Sequence, residues 1–297
     1  MFAQLLPLIQ KGDHKAIARS ISLVENDVKG YQQFLRALPV NPTTHLIGIT
    51  GPPGAGKSTI VDALIGHLIQ QGRRVGVLCV DPSSPFHLGA LLGDRIRMSQ
   101  WYNHPQVYIR SLATRGSLGG LHPRIIEITD ILRAAPFDHI IIETVGVGQS
   151  EIEIAGLADT TVVVLVPEGG DEIQTMKAGV MEIADVFVVN KSDRPGADHF
   201  ASNLRLMLHA LEEENRPPII KTVGSQNTGI PELASAIEKR HHHHHSNEKK
   251  LLLLTEKAWH LLRNQRMQDV SKTDLKNKIE KAKGKEHFNL YEFIDQY

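Results

Sequence analysis

GITGPPGAGKST, residues 48–59, joins the end of a short apolar run, HLIGIT, to the start of a helical pattern, STIVDALIGHLIQ. Its core, Gly51 to Ser58, matches G-x-x-x-x-G-K-[ST], and a strand before it with a helix after it is the context that gives this motif its meaning. The glycines let successive backbone N–H groups turn toward one point at a helix N-terminus, where the helix dipole also favours anions. Gly51, Pro52, Pro53, Gly54, Ala55, Gly56, Lys57, Ser58 and Thr59 therefore read as a phosphate cradle. Lys57 is placed to reach β- and γ-phosphates, and the Ser58 hydroxyl to reach Mg²⁺.

Outward from this loop the chain alternates β-branched runs with helical spacing. The runs are HLIGIT, RVGVLCVD, HIIIETVG, TTVVVLVP, VFVVNKSD and PIIKTVG. Such runs read as strands buried on both faces, and their alternation with helices predicts an α/β fold: a mainly parallel central sheet flanked by helices, with ligand at the carboxyl ends of the strands. Residues 1–40 form an N-terminal helical extension closed by PVNPTT, whose prolines stop helix. Residues 41–240 form the P-loop domain, and 241–250, HHHHHSNEKK, a histidine-rich linker. Residues 251–297 have helical apolar spacing with many charges, so one face could pack on another helix, including one from a second copy.

A magnesium ion needs further oxygen ligands, usually one or two carboxylates with several waters. Glu143 ends HIIIETVG where a Walker B acid belongs, Asp81 ends VGVLCVD, and Asp94 lies in the loop LLGDR. Each could instead cap a helix or sit in a surface ion pair. Gly146, just after Glu143, leaves room for a backbone N–H to approach the γ-phosphate. Asn190, Lys191 and Asp193 belong to NKSD. A carboxylate there accepts from the guanine N1–H and exocyclic amine, a donor pair that adenine lacks, so the wrong base leaves it unpaired. In VGSQNTGI, Ser225 is a further candidate for closing over the base.

The 33 basic and 33 acidic residues cancel, which gives no argument for nucleic acid or an anionic membrane surface. No apolar run reaches the about 18 residues that a membrane span needs. MFAQLLPLIQKGDHKAIARS has neither a signal-peptide nor a transit-peptide pattern. Cys79, the single cysteine, lies in an apolar run, so a buried small hydrophobe and a reducing cytoplasm are expected.

VDPSSP, LGDRIRM, GSLGGL, ETVGVGQSE, GGDEIQTMKAG and ADVFVVNKSD, in that order after GPPGAGKST, resemble the MeaB/ArgK/MMAA family of P-loop GTPases, a SIMIBI-type G domain. The resemblance is dense over residues 41–240. It implies a slow GTPase with GTP/GDP and Mg²⁺ as ligands. It also implies a chaperone that binds a cobalamin-dependent acyl-CoA mutase, with methylmalonyl-CoA mutase as the default, and gates adenosylcobalamin loading and reactivation. Ser58, Asp81, Asp94 and Glu143 match the family's magnesium residues, and the segment beyond Leu251 its homodimerisation arm. Glu168 to Gly179 matches a third switch loop in which Asp171, Glu172 and Lys177 would couple nucleotide state to the mutase. The sequence has no Asp-x-His-x-x-Gly motif, so cobalamin is expected in the partner.

Two rival readings remain. His241–His245 suits a nickel-delivery GTPase of the hydrogenase or urease type, since consecutive imidazoles bind Ni²⁺, Cu²⁺ and Zn²⁺, but cysteine ligands near the switch region are lacking. A nucleotide-dependent assembly scaffold would bind without turnover. Arg110 and Arg115, flanking SLAT, are candidates for stabilising developing phosphate charge or for simple salt bridges, and the salt-bridge reading is preferred. The catalytic candidates are Lys57, Asp81, Gly146 and Gln149. Gln149 could position the attacking water by analogy with small GTPases, although ETVGVGQSE sets it two residues further from the acid. A Gln149→Ala variant that hydrolyses GTP at the wild-type rate, alone and with a mutase, would make Gln149 structural.

Overall fold

In the computed structural model, β1 (His45–Thr50), β2 (Val75–Asp81), β4 (His139–Glu143), β5 (Thr160–Leu165) and β6 (Val186–Val189) are buried along their whole length. That is what continuous apolar runs without polar alternation require. With β3 (Val107–Ala113) and β7 (Ile219–Lys221) they form a seven-stranded sheet in the order β3-β2-β4-β1-β5-β6-β7, every adjacent pair being parallel. The structure describes residues 2–39, 41–81, 98–114, 121–146, 154–168, 183–209 and 216–243. Toward the C-terminus it describes 251, 255, 258–259, 261–263, 265–267, 270–283 and 288–295.

The sequence reading named six strands; the seventh is β3. Along β3, Tyr108 and Leu112 join the core cluster beneath the N-terminal helices. Arg110 lies between them in the alternation, and its guanidinium donates to Glu25 at 2.6 Å and Ser22 at 3.2 Å. A charge in the middle of the run hid the strand, and its partner comes from far earlier in the chain.

Helices cover both faces of the sheet. On one face lie α4 (Lys57–Gln70) and α7 (Ile230–His243), burying Ile60, Leu64, Leu233 and Ile237 against Ile47, Ile49, Val77, Cys79 and Ile141. Cys79 is the buried small hydrophobe expected. On the other lie α1 (Phe2–Gln10), α2 (His14–Glu25), α3 (Tyr31–Arg36) and α5 (Ile125–Arg133). Past β5, α6 (Ala197–Leu208) packs Phe200 and Leu204 on Phe187 and Val189.

The N-terminal helices are part of this core. Asp13 caps α2 by accepting from the Ala16 N–H at 2.7 Å, the usual device for satisfying a first-turn donor. The helix then buries Ala16, Ile17, Ser20, Ile21 and Val24, a stripe at helical spacing that faces Leu46, Leu78 and Ile140 of the sheet. α1, α2 and α3 thus provide one wall of the main core.

Residues 250–297 form a separate compact unit. Within it α8 (Lys272–Lys283) is strongly charged, and α9 (Leu290–Ile294) is capped by the Asn289 side chain. Phe293 is buried there, 5.9 Å from the Phe288 ring. Among the described residues no helix is long and apolar enough to cross a membrane.

Ile17 is fully buried, so Ile17→Ala should lower stability by about 2–5 kcal/mol. Equilibrium denaturation checks this, and a loss below about 1 kcal/mol would mean that α2 is not a core wall.

Candidate functional site

The parallel order brings the ends of β1, β2, β4 and β6 to one edge, where the chain switches direction on either side of β1. β1 leads into the phosphate loop. Gly51 has φ 139° and a Cβ there would lie 2.1 Å from the Val164 carbonyl oxygen of β5. Only glycine lets the loop leave the sheet this closely. The loop then enters α4 at Lys57, which puts Lys57 and Ser58 in the first helical turn, both 6% exposed.

Lys57 Nζ donates to the carbonyls of Gly51 at 2.9 Å and Pro52 at 3.0 Å, so the ammonium lies inside the loop's own curve. Ser58 Oγ donates to Glu143 Oε1 at 2.6 Å, a charge-assisted bond of the short kind. Glu143 is 4% exposed and stands opposite Ile49 in the β1–β4 register. Asp81, 3% exposed, ends β2, two residues past Cys79, which pairs with Glu143. The Ser58 hydroxyl and the buried Glu143 carboxylate thus meet at the start of α4, and the buried Asp81 ends the neighbouring strand β2.

Just beyond Glu143, the Thr144 and Thr50 hydroxyls are 2.9 Å apart and hold the extension of β4 to the end of β1. Gly146 follows with φ 83°, and a Cβ on it would lie 2.4 Å from Lys57 Nζ and 2.5 Å from the Gly51 carbonyl oxygen. Its backbone is pressed against the loop.

Asn190 and Lys191 do work that the four-residue motif does not disclose. The buried Asn190 amide donates from Nδ2 to the Ala55 carbonyl at 2.9 Å. Its Oδ1 accepts from the Thr222 hydroxyl and the Gly224 N–H, each at 3.1 Å. Lys191 Nζ donates to the Gly54 carbonyl at 2.7 Å. These bonds fasten the loop after β6 and the turn after β7 to the phosphate loop, a network that adds rigidity when every member is satisfied. Asp193 is exposed at the rim, as is Ser225 in the 3₁₀ turn Gly224–Gln226. Thr222 and Gly224 escaped the sequence reading, although both lie in or beside the VGSQNTGI stretch it singled out.

Arg194, next to Asp193, forms an ion pair with Glu168, and the guanidinium's hydrogen bond holds that carboxyl below its ordinary range. Arg110 is engaged with Glu25, in keeping with the salt-bridge reading. Asp94, Arg115, Gln149, Asp171, Glu172 and Lys177 lie outside the described residues.

Residues 17–280 match the family model described as Methylmalonyl Co-A mutase-associated GTPase MeaB. A putative GTPase of Pyrococcus abyssi is 49% identical over 245 residues, 80% of this chain and 76% of that protein. The GTPase ArgK of Escherichia coli is 36% identical over 250 residues, covering 79% and 74%. A crystal structure described as a LAO/AO transport system kinase superposes with a TM-score of 0.71 at 28% identity, covering 91% of this chain and 84% of that one.

Asn190→Ala should remove one partner from three groups at once and destabilise the fold by about 1–3 kcal/mol, with weaker nucleotide binding. Asp193→Ala, at an exposed position, should leave stability within about 0.5 kcal/mol while nucleotide selectivity changes. Thermal unfolding and equilibrium nucleotide binding separate the two; equal effects on stability would contradict the division of labour.

Proposed function

The chain belongs to the MeaB family of methylmalonyl Co-A mutase-associated GTPases, and from that premise we propose that it hydrolyses GTP slowly and uses the cycle to gate adenosylcobalamin loading and reactivation of a cobalamin-dependent acyl-CoA mutase, methylmalonyl-CoA mutase by default. The observation that carries the reading is the Ser58–Glu143 bond beneath a phosphate loop that Asn190 and Lys191 tie to the base-reading loop.

Phosphate oxygens entering the loop meet the N–H groups at the start of α4, and Lys57 exchanges the Gly51 and Pro52 carbonyls for the β- and γ-phosphates. Asp193 accepts from the guanine edge at the rim. The buried donor set of Ser58, Asp81 and Glu143 is all hard oxygen, which fits Mg²⁺; Asp94 is proposed with it on the family pattern. When bound, the ion neutralises charge that develops between the β- and γ-phosphates. Gly146 offers its backbone N–H to the γ-phosphate because no side chain stands between it and Lys57. Loss of that phosphate removes the contact to Gly146; Gln149, three residues further along the sequence, is the candidate for positioning water. Catalysis of this kind is positioning and electrostatics, so turnover is slow until a partner completes the site.

The same reading gives the C-terminal unit the part of a homodimerisation arm and the protein a cytoplasmic place. Support for the arm comes from Leu251, Trp259, Leu261, Leu262, Met267, Leu290, Tyr291 and Ile294, large apolar residues left exposed there, since a second copy would bury them.

Hydrolysis of GTP but not ATP, altered by purified mutase that the protein also captures in a pull-down, is the expected result. Lys57→Ala should reduce turnover by at least about a hundredfold. Turnover unchanged by saturating mutase, or retained in Lys57→Ala, would refute the proposal.

A further inference from the structure

At the edge of the sheet opposite the phosphate loop, β1 and β4 each begin with a histidine, and His45 and His139 are partners in the parallel register. Strand alternation places both on the face covered by α4 and α7, because Ile47 and Ile141, two residues on, belong to that cluster. The imidazoles are 2% and 4% exposed with ring centroids 5.8 Å apart. Glu238 of α7 brings Oε1 to 3.5 Å from His139 Nε2. One ligand-capable atom from each of the three residues lies within 4.8 Å of the other two. His45 Nε2 is also 2.9 Å from the hydroxyl of Thr160, the first residue of β5.

We propose that His45, His139 and Glu238 bind a divalent transition-metal ion of the Zn²⁺ or Ni²⁺ type at this end of the sheet. Two imidazoles and one carboxylate form a His₂Glu donor set, which suits zinc and leaves a fourth position for water. Imidazole nitrogen selects such ions over Mg²⁺ and Ca²⁺, which take oxygen. The nitrogen-rich set here and the all-oxygen set near Glu143 therefore select different metals.

Donors at about 2.0–2.1 Å from a tetrahedral ion stand about 3.3–3.5 Å apart. Closing from 4.8 Å asks each donor for about an ångström or less. Glu238, whose side chain is 44% exposed, is free to follow the two imidazoles as they close on the ion. The segment read as a linker adds a second observation. In the sequence, His241 to His245 begin three positions after Glu238. A sequence able to collect metal ions therefore starts three residues from one of the site's ligands. The strands that the metal would tie together at their starts are those whose far ends lead to the phosphate loop and Glu143.

The test uses the full chain with His241 to His245 each replaced by serine, so that the run cannot bind the probe. Titrated with Co²⁺ alone, this chain should take up one equivalent and develop the intense visible absorption of a tetrahedral site, and Zn²⁺ alone should displace it. Glu238→Gln in the same background, a substitution at a half-exposed position, should weaken binding at least about tenfold, with the far-ultraviolet circular dichroism spectrum unchanged. Co²⁺ uptake seen only when the run is present, or uptake unaffected by Glu238→Gln, would overturn the proposal.

Discussion

The Ser58 hydroxyl donates across 2.6 Å to the buried carboxylate of Glu143, and that contact depends on the strand order, the loop and the helix start together. It exists only if β1 and β4 are neighbours with Ile49 opposite Glu143, and only if the chain leaves β1 through a loop tight enough for α4 to start at Lys57. A carboxylate withdrawn from water is costly unless hydrogen-bonded or bound to a cation. Burying Glu143 therefore commits the fold to supplying donors there. The glycine turn, the strand order and the entry of α4 are three aspects of meeting that demand.

Much of this was legible in the sequence because the constraints are local. The positive φ of Gly51, Gly54 and Gly56 is a demand on three residues within six positions, and a strand buried on both faces shows itself as an uninterrupted apolar run. Where the deciding partner is distant, the signal failed. Arg110 was legible as a salt-bridge partner but not as part of a strand, because Glu25, which neutralises it, lies 85 positions away. The helical spacing of residues 14–25 showed a buried face but could not say that the sheet would cover it. Asn190 reads only as part of the base-addressing motif NKSD; that its amide also serves Ala55, Thr222 and Gly224 was not legible, because only the assembled sheet brings these partners together.

The Asn190 network also joins loops that leave separate strands of the sheet. The loops come from β1, β6 and β7, and without cross-links each would move by itself. Hydrogen bonds from Asn190 and Lys191 to the carbonyls of Ala55 and Gly54 make them one body. Asp193 is held at the rim of that body and needs no burial of its own. The exposed pair between Glu168 and Arg194 extends the connection from the base loop to the end of β5. Its contribution is present at neutral pH and is lost as the pH falls through the carboxyl's lowered range.

The placement of α1, α2 and α3 bears on the order in which the chain can consolidate. These helices precede the sheet in the sequence, and Leu46, Leu78, Tyr108, Leu112, Ile140 and Ile142, which they bury, come as much as a hundred positions or more later. Until β3, β4 and α5 exist, the stripe through Ile17 and Ile21 has no wall to meet, and Glu25 has no Arg110. Contacts of such long sequence separation form late and slowly, so the beginning of the chain is among the last parts to be locked in place. During that interval its apolar face is the surface most exposed to the wrong partner.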